Sequence, residues 1–250
     1  VYFVKRHIAN PDVAYSPPHL INKRAIVQTL KDLGCARVIG FGSTGSLKSS
    51  IPPGSLMVPE SFFDPLTVYE LHDDDRACVV GGVNAVLRES ILEALRAESI
   101  VGGSGVGGGI YTQTLGPRFE TPAEIRFLGA YGDIVGMTCG HEAGLCAEVE
   151  LPYALVCMVD NMGNGVSAAN LSVEQFHDGL AKNLSRMDVV LGRVLQHFAS
   201  SHEAPVEPPK TVKSKEKKED DSHDAPKVAP SLEGTLGVLV DASVSASPHF

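Results

Sequence analysis

The 250-residue sequence contains no tryptophan, and aromatic residues make up only 6% of it. Its five cysteines, Cys35, Cys78, Cys139, Cys146 and Cys157, form no C-x-x-C pair. An odd, scattered set argues against a disulfide frame or a thiolate zinc site and reads as reduced, buried thiols of a cytoplasmic protein. Long apolar runs are missing too. Nothing approaches the roughly 18 residues that mark a membrane-spanning helix, and the N-terminus has no basic-then-apolar signal. Positive charge is in deficit, with 21 Lys and Arg against 30 Asp and Glu, for a net charge of −9. That balance argues against nucleic acid or an anionic membrane as the main partner, and leaves room for a local phosphate pocket.

What is present is core material. Hydrophobic residues make up 43% and charged residues 20%, enough for one mid-sized α/β domain or two small ones. The chain opens on Val1-Tyr2-Phe3-Val4, without a methionine and already strand-like, as in a fragment or a chain that has lost its first element. Composition shifts near residue 200. Residues 201–230 are rich in Pro, Lys, Glu and Asp, with too little to bury to offset their ordering entropy. The expected organisation is therefore one domain over 1–200 and a flexible tail over 201–250. Inside that tail, Leu232–Val244 holds a short apolar run, GVLVDASV, which reads as a docking strand or as nothing.

Apolar, β-branched runs predict strands at Val1–Val4, Arg37–Phe41, Ser55–Val58, Tyr111–Leu115, Asp133–Met137 and Tyr153–Val159. Helical patterns lie at about 19–34, 85–99, 121–131, 140–149 and 171–197. Thr121-Pro122-Ala123-Glu124 has Thr at an N-cap, Pro at the first helical position and Glu three residues on, which is a capping box. Strands alternating with helices predict a mainly parallel, twisted sheet covered on both faces, with ligands at the carboxyl ends of the strands.

Polar, Gly-rich sequence collects at those ends. Gly42-Ser43-Thr44-Gly45-Ser46-Leu47 follows the second predicted strand and reads as a Gly/Ser turn or as a place where backbone approaches an anion. Residues 101–109 look like a phosphate cradle, but they precede a strand, so a hairpin is expected there. Gly116-Pro117-Arg118-Phe119-Glu120 joins a strand to the capped helix. Later strands run out into Met137-Thr138-Cys139-Gly140-His141-Glu142 and into Asp160-Asn161-Met162-Gly163.

The order GSTGSL, GPRFETPAE, GMT with Glu142 four residues after the Thr, and a strand ending in Asn resembles the trimeric purine nucleoside and methylthioadenosine phosphorylase family. The resemblance spans about Arg6 to His197. It implies a single α/β domain around a mixed twisted sheet flanked by helices, usually a homotrimer. It also implies phosphorolysis of a purine nucleoside to free base and ribose 1-phosphate, in purine salvage, with phosphate as co-substrate and neither metal nor organic cofactor.

The resemblance assigns phosphate to Arg6, His7, Gly42, Ser43 and Thr138, and ribose to Met137. It places the purine under Phe119, with Glu120 and Asn161 at its edge as the catalytic pair. A carboxylate accepts from N1–H of a 6-oxopurine and an amide donates to O6 or N7, so this pair favours inosine or guanosine. Methylthioadenosine phosphorylases have Asp at the Asn161 position and a small residue at that of Glu120. On the last helix, Val173, Phe176 and His177 fall near the sugar's 5′ end. His177 suits a 5′-hydroxyl and Phe176 a methylthio group. The family's first strand and its Gly-rich phosphate loop are not found before Arg6. If these residues are the whole molecule, an open sheet edge and weak catalysis are expected. Alternatives are therefore a methylthioadenosine or methylthioinosine phosphorylase, an impaired nucleoside-binding relative, and a hydrolytic nucleosidase using Asp160 as acid.

Overall fold

Two long strands, Arg37–Ser46 and Tyr153–Met162, buried on both faces along most of their length, set the frame of the sheet. The structure, a computed structural model, describes residues 1–96, 108–167, 171–200 and 236–240. In chain order the strands are β1 (Tyr2–Lys5), β2 (Arg37–Ser46), β3 (Leu56–Met57), β4 (Ser61–Phe63), β5 (Ile110–Gln113), β6 (Ile134–Gly136), β7 (Tyr153–Met162) and β8 (Leu236–Val240). The helices are α1 (Lys23–Asp32), α2 (Ala85–Arg96), α3 (Pro122–Leu128), α4 (Cys139–Glu148) and α5 (Val173–Ser200). All eight strands form one sheet in the order β1-β8-β2-β6-β5-β4, with β7 on the other side of β2 and β3 beside β7. Among the described residues, only the β2–β6 and β3–β7 pairs are antiparallel. This is the mixed, helix-flanked sheet that the sequence predicts.

Both faces of the central strands are apolar, as strands covered on both sides require. Ile39 and Phe41 of β2, Val156 and Met158 of β7, and Leu236 and Val238 of β8 pack against α2 and α5. Val38, Leu155, Cys157, Val159 and Leu239 project to the other face, against Val27 and Leu30 of α1 and Ala143 and Cys146 of α4. Burial pushes the Cys146 thiol well above its ordinary pKa, which keeps it protonated. Cys35, Cys139, Cys146 and Cys157 are buried as expected, whereas Cys78 is exposed. Helix α3 starts at the capping box, with Glu124 N donating to Thr121 Oγ1 and Thr121 N to Glu124 Oε2.

Three expectations are corrected. Residues 42–46 are not a turn: β2 runs on to Ser46, because β7 extends alongside it to Met162. The three-residue strand β4 was not foreseen, and it is too short to show a period. The third concerns the tail over 201–250. Its residues Leu236–Val240 are β8, parallel to β1 on one side and to β2 on the other. The reason is burial, since Leu236, Val238 and Leu239 are all inside the two cores. The gap that would leave the sheet open between β1 and β2 is thereby filled. Residues 201–235 and 241–250, and residues 101–107 of the hairpin expected over 101–109, lie outside the described residues.

One glycine decides a close approach at the heart of the sheet. A Cβ on Gly40 of β2 would lie 2.1 Å from Tyr153 Oη, the hydroxyl that donates to Glu142 Oε2 at 2.8 Å. Gly40→Ala is expected to destabilise the protein by about 1–3 kcal/mol, the usual cost of overpacking. Adding Tyr153→Phe, which removes the clashing oxygen, should recover part of that loss in urea denaturation. A purely additive double mutant would show that the clash is not the cause.

Candidate active site

The ladder along one edge of β2 is shared between two strands. β8 pairs with Arg37 to Phe41, and β6 pairs with Gly45 and Ser46. On the opposite edge β7 follows β2 throughout, with a register shift between Thr44 and Gly45 that leaves Asp160 as an extra residue on β7. Such a bulge re-aims side chains. Asp160 Oδ1 accepts from Asn183 Nδ2 of α5 at 2.7 Å, while Asn161 lines the cavity at the sheet's split. That cavity is about 280 Å³. Its walls come from the ends of β2, β6 and β7, the 119–120 segment, the start of α5 and the stretch after β1.

Nine of the twelve residues that the resemblance places at the phosphate, sugar or base line it: His7, Ser43, Phe119, Glu120, Met137, Thr138, Asn161, Phe176 and His177. Arg6, Gly42 and Val173 do not. The forked contact with phosphate expected of Arg6 gives way to a buried ion pair. Its Nε donates to Glu142 Oε1 at 2.7 Å and Nη2 to Oε2 at 2.9 Å, while Nη1 donates to the Phe41 carbonyl at 2.8 Å. Both side chains are at most 1% exposed. Tyr153 adds its hydroxyl to the same carboxylate, and burial holds that phenol protonated by pushing its pKa well up. Gly42 stays within the sheet, opposite Cys157.

His7 is held by both sides of its ring system. Its Nδ1 lies 2.8 Å from the Ser16 carbonyl, which can only accept, so Nδ1 carries the proton there. The ring stacks on Tyr15 with centroids 5.0 Å apart. Thr138 begins α4, whose first N–H groups are already engaged. Thr138 N and Cys139 N donate to Tyr111 Oη, and Gly140 N donates to Gln113 Oε1 at 2.9 Å. This helix end offers an anion the Thr138 hydroxyl, with its leading amides turned to β5.

The opposite end of the cavity is aromatic and amide-lined. Phe119 and Phe176 tilt against one another at 5.4 Å, with His177 beside Phe176. Glu120 Oε1 accepts from Thr114 Oγ1 at 2.6 Å, which orients the carboxylate. Asn164 Nδ2 donates to the Glu120 carbonyl and its Oδ1 accepts from Leu171 N, tying this loop to the approach of α5. Asn161 Nδ2 donates to the Met162 carbonyl at 3.0 Å, leaving one amide hydrogen and the oxygen for other partners. Gly116, at φ +71, brings the 116–120 loop onto Met137, where a Cβ would meet the sulfur at 2.5 Å. Thr114, Tyr15 and Asn164 were missed in the sequence. Their roles arise from contacts that no local pattern marks.

Residues 17–196 match the phosphorylase superfamily. The chain belongs to this superfamily. It is 35% identical over 183 residues to a protein of Archaeoglobus fulgidus named "Probable 6-oxopurine nucleoside phosphorylase", covering 73% of each chain. It is 34% identical over 212 residues to a "Probable S-methyl-5'-thioinosine phosphorylase" of Methanothermobacter thermautotrophicus, covering 82% of this chain and 71% of that one. Among solved structures, methylthioadenosine phosphorylase from Schistosoma mansoni in complex with adenine superposes with a TM-score of 0.64 at 24% identity. That match covers 74% of this chain and 73% of the other. It supports the phosphorylase fold and carries no substrate with it.

Two outcomes follow from the charges of this superfamily member. Glu142→Ala leaves a buried guanidinium without its carboxylate and should cost about 3–5 kcal/mol in urea denaturation. Adding Arg6→Met should return much of that, and a double variant whose loss is the sum of the two single losses would show that the pair is uncoupled. At α3, the Arg118 guanidinium and the Thr121 amide lower the Glu124 carboxyl from 4.5 to about 2. Because the folded value is depressed, its contribution is full above pH 4.5 and is lost as the pH falls toward about 2. The stability gap between wild type and Glu124→Gln should therefore shrink over that window, and a constant gap would contradict it.

Proposed function

We propose that this chain is a purine nucleoside phosphorylase for 6-oxopurine nucleosides. It transfers the ribosyl group of inosine or guanosine to inorganic phosphate, giving free base and ribose 1-phosphate. The observation that carries this reading is the placing of Glu120 and Asn161 in one cavity with the tilted Phe119–Phe176 pair. The purine lies against the rings, Glu120 accepts from N1–H, and Asn161 donates to N7 or O6. Negative charge builds on the base as the glycosidic bond breaks. These contacts therefore strengthen toward the transition state, which is where binding accelerates a reaction.

Phosphate sits at the other end, among the Ser43 and Thr138 hydroxyls and His7, beneath the anomeric carbon. One of its oxygens bonds to that carbon as the bond to the base opens, while Met137 lines the ribose. Arg6 acts from behind, holding Phe41 and Glu142 in place. The reaction uses phosphate as co-substrate, without metal or organic cofactor. A homotrimer and a cytoplasmic role in purine salvage belong to the same reading and rest on the family resemblance.

A second substrate suits the same base site. S-methyl-5′-thioinosine is also a 6-oxopurine nucleoside, and Phe176 and Leu180 line the cavity together with His177. The 5′ substituent separates the two substrates and the base does not.

The test is turnover of inosine, guanosine, methylthioinosine and methylthioadenosine with and without phosphate, following release of base. Phosphate-dependent cleavage of the 6-oxopurine substrates is expected, and base release that ignores phosphate would mean a hydrolase. Glu120→Ala should cost about 2–4 kcal/mol in transition-state stabilisation. Asn161→Asp should move preference toward 6-aminopurines. An unchanged ratio of inosine to adenosine turnover in that variant would remove Asn161 from base recognition.

A further inference from the structure

β1 has a single strand neighbour among the described residues, β8, in register from Tyr2↔Gly237 to Lys5↔Val240. β8 in turn lies along β2 from Arg37↔Leu236 to Phe41↔Val240. The backbone of β1 therefore joins the sheet through β8. From Lys5 the chain passes directly into the short 3-10 turn Arg6–Ile8, which carries Arg6 to the Phe41 carbonyl and His7 to the cavity wall. Phe41 is also the last residue of β2 paired with β8. The strand is fitted on both faces, with Val238 and Leu239 fully buried. A Cβ on Gly237 would come within 3.2 Å of Leu30 and 3.3 Å of Val38.

We propose that β8 is a positioning element for the anion end of the cavity. It fastens β1 to the sheet and so sets Arg6 and His7, although it comes from the far end of the chain. Glu120 and Asn161 stand on the 116–120 loop and on β7, neither of which is paired with β8. Loosening β8 therefore weakens phosphate binding selectively and spares base recognition. The catalytic consequence rests on the phosphorolysis reading, whereas the mechanical one does not.

The two are tested separately in the whole 250-residue chain. Val238→Pro removes an N–H and fixes φ inside an interior strand, which breaks its ladder. Hydrogen exchange should show protection lost together at Tyr2–Lys5 and Leu236–Val240 and kept at Tyr153–Val159. Protection retained at Tyr2–Lys5 overturns the proposal whatever the protein catalyses. If Val238→Pro also exposes Tyr153–Val159, the milder Val238→Thr supplies the same comparison. There, loss of protection at Leu236–Val240 without loss at Tyr2–Lys5 overturns the proposal, and so does no loss at either. In turnover, Val238→Thr should raise KM for phosphate by about fivefold or more and change KM for nucleoside by less than about twofold. Equal changes in both, or none, overturn the positioning role. Absence of phosphate-dependent turnover in the wild-type protein refutes the phosphorolysis reading and leaves the exchange result to decide on β8.

Discussion

Each peptide group in a sheet interior needs a partner, and β2 meets that demand differently on its two edges. β7 runs beside it along its whole length, whereas the other edge passes from parallel β8 to antiparallel β6. Strands of opposite direction arriving on one edge cannot meet end to end without leaving space. The cavity occupies that space, and Ser43, Thr44 and Gly45 of β2 line it. The bulge on β7 beside this point puts Asn161 on the cavity and turns Asp160 to α5. The position of the site thus follows from strand topology, and its chemistry from the side chains the topology brings there.

The buried Arg6–Glu142 pair stands just behind this opening. Desolvating two charges is expensive, and a pair of this kind seldom adds net stability over apolar residues of the same size. Its value lies in direction. The planar guanidinium meets the carboxylate with two bonds and the Phe41 carbonyl with a third, which fixes β1, β2 and α4 relative to one another. Among the described residues no lysine or arginine lines the cavity, so an anion there would meet hydroxyls and imidazole. The Ser43 and Thr138 hydroxyls, held on β2 and at the start of α4, would act on an anion by pre-organisation and not by net charge.

The parts of this arrangement legible in the sequence were those with a local signature. Thr121 and Glu124 close a capping box that depends on residues three apart, and it stands as read. The cavity residues on strand ends were also legible, since Met137, Thr138 and Asn161 follow apolar runs. Arg6 shows where such reasoning stops. Its side chain suits phosphate, but its partner Glu142 is 136 residues away, and nothing around Arg6 announces the pair. Thr114 carries no mark either, because its hydroxyl matters only through the fold that brings Glu120 to it. The apolar run in β8 was visible and its place was not: five residues in a polar stretch have no period that assigns them to the middle of a sheet.

That place bears on how the protein is made. A ribosome delivers β1 and β2 well before β8, so this interior strand of the sheet emerges after both of its neighbours. Until β8 is made, β1 lacks its strand partner among the described residues, and the β2 edge from Arg37 to Phe41 lacks the strand that covers it. Contacts between the two ends of a chain are the slowest kind to form, and open edges formed early invite pairing with other chains. The nascent protein thus holds its sheet without an interior strand until β8 arrives.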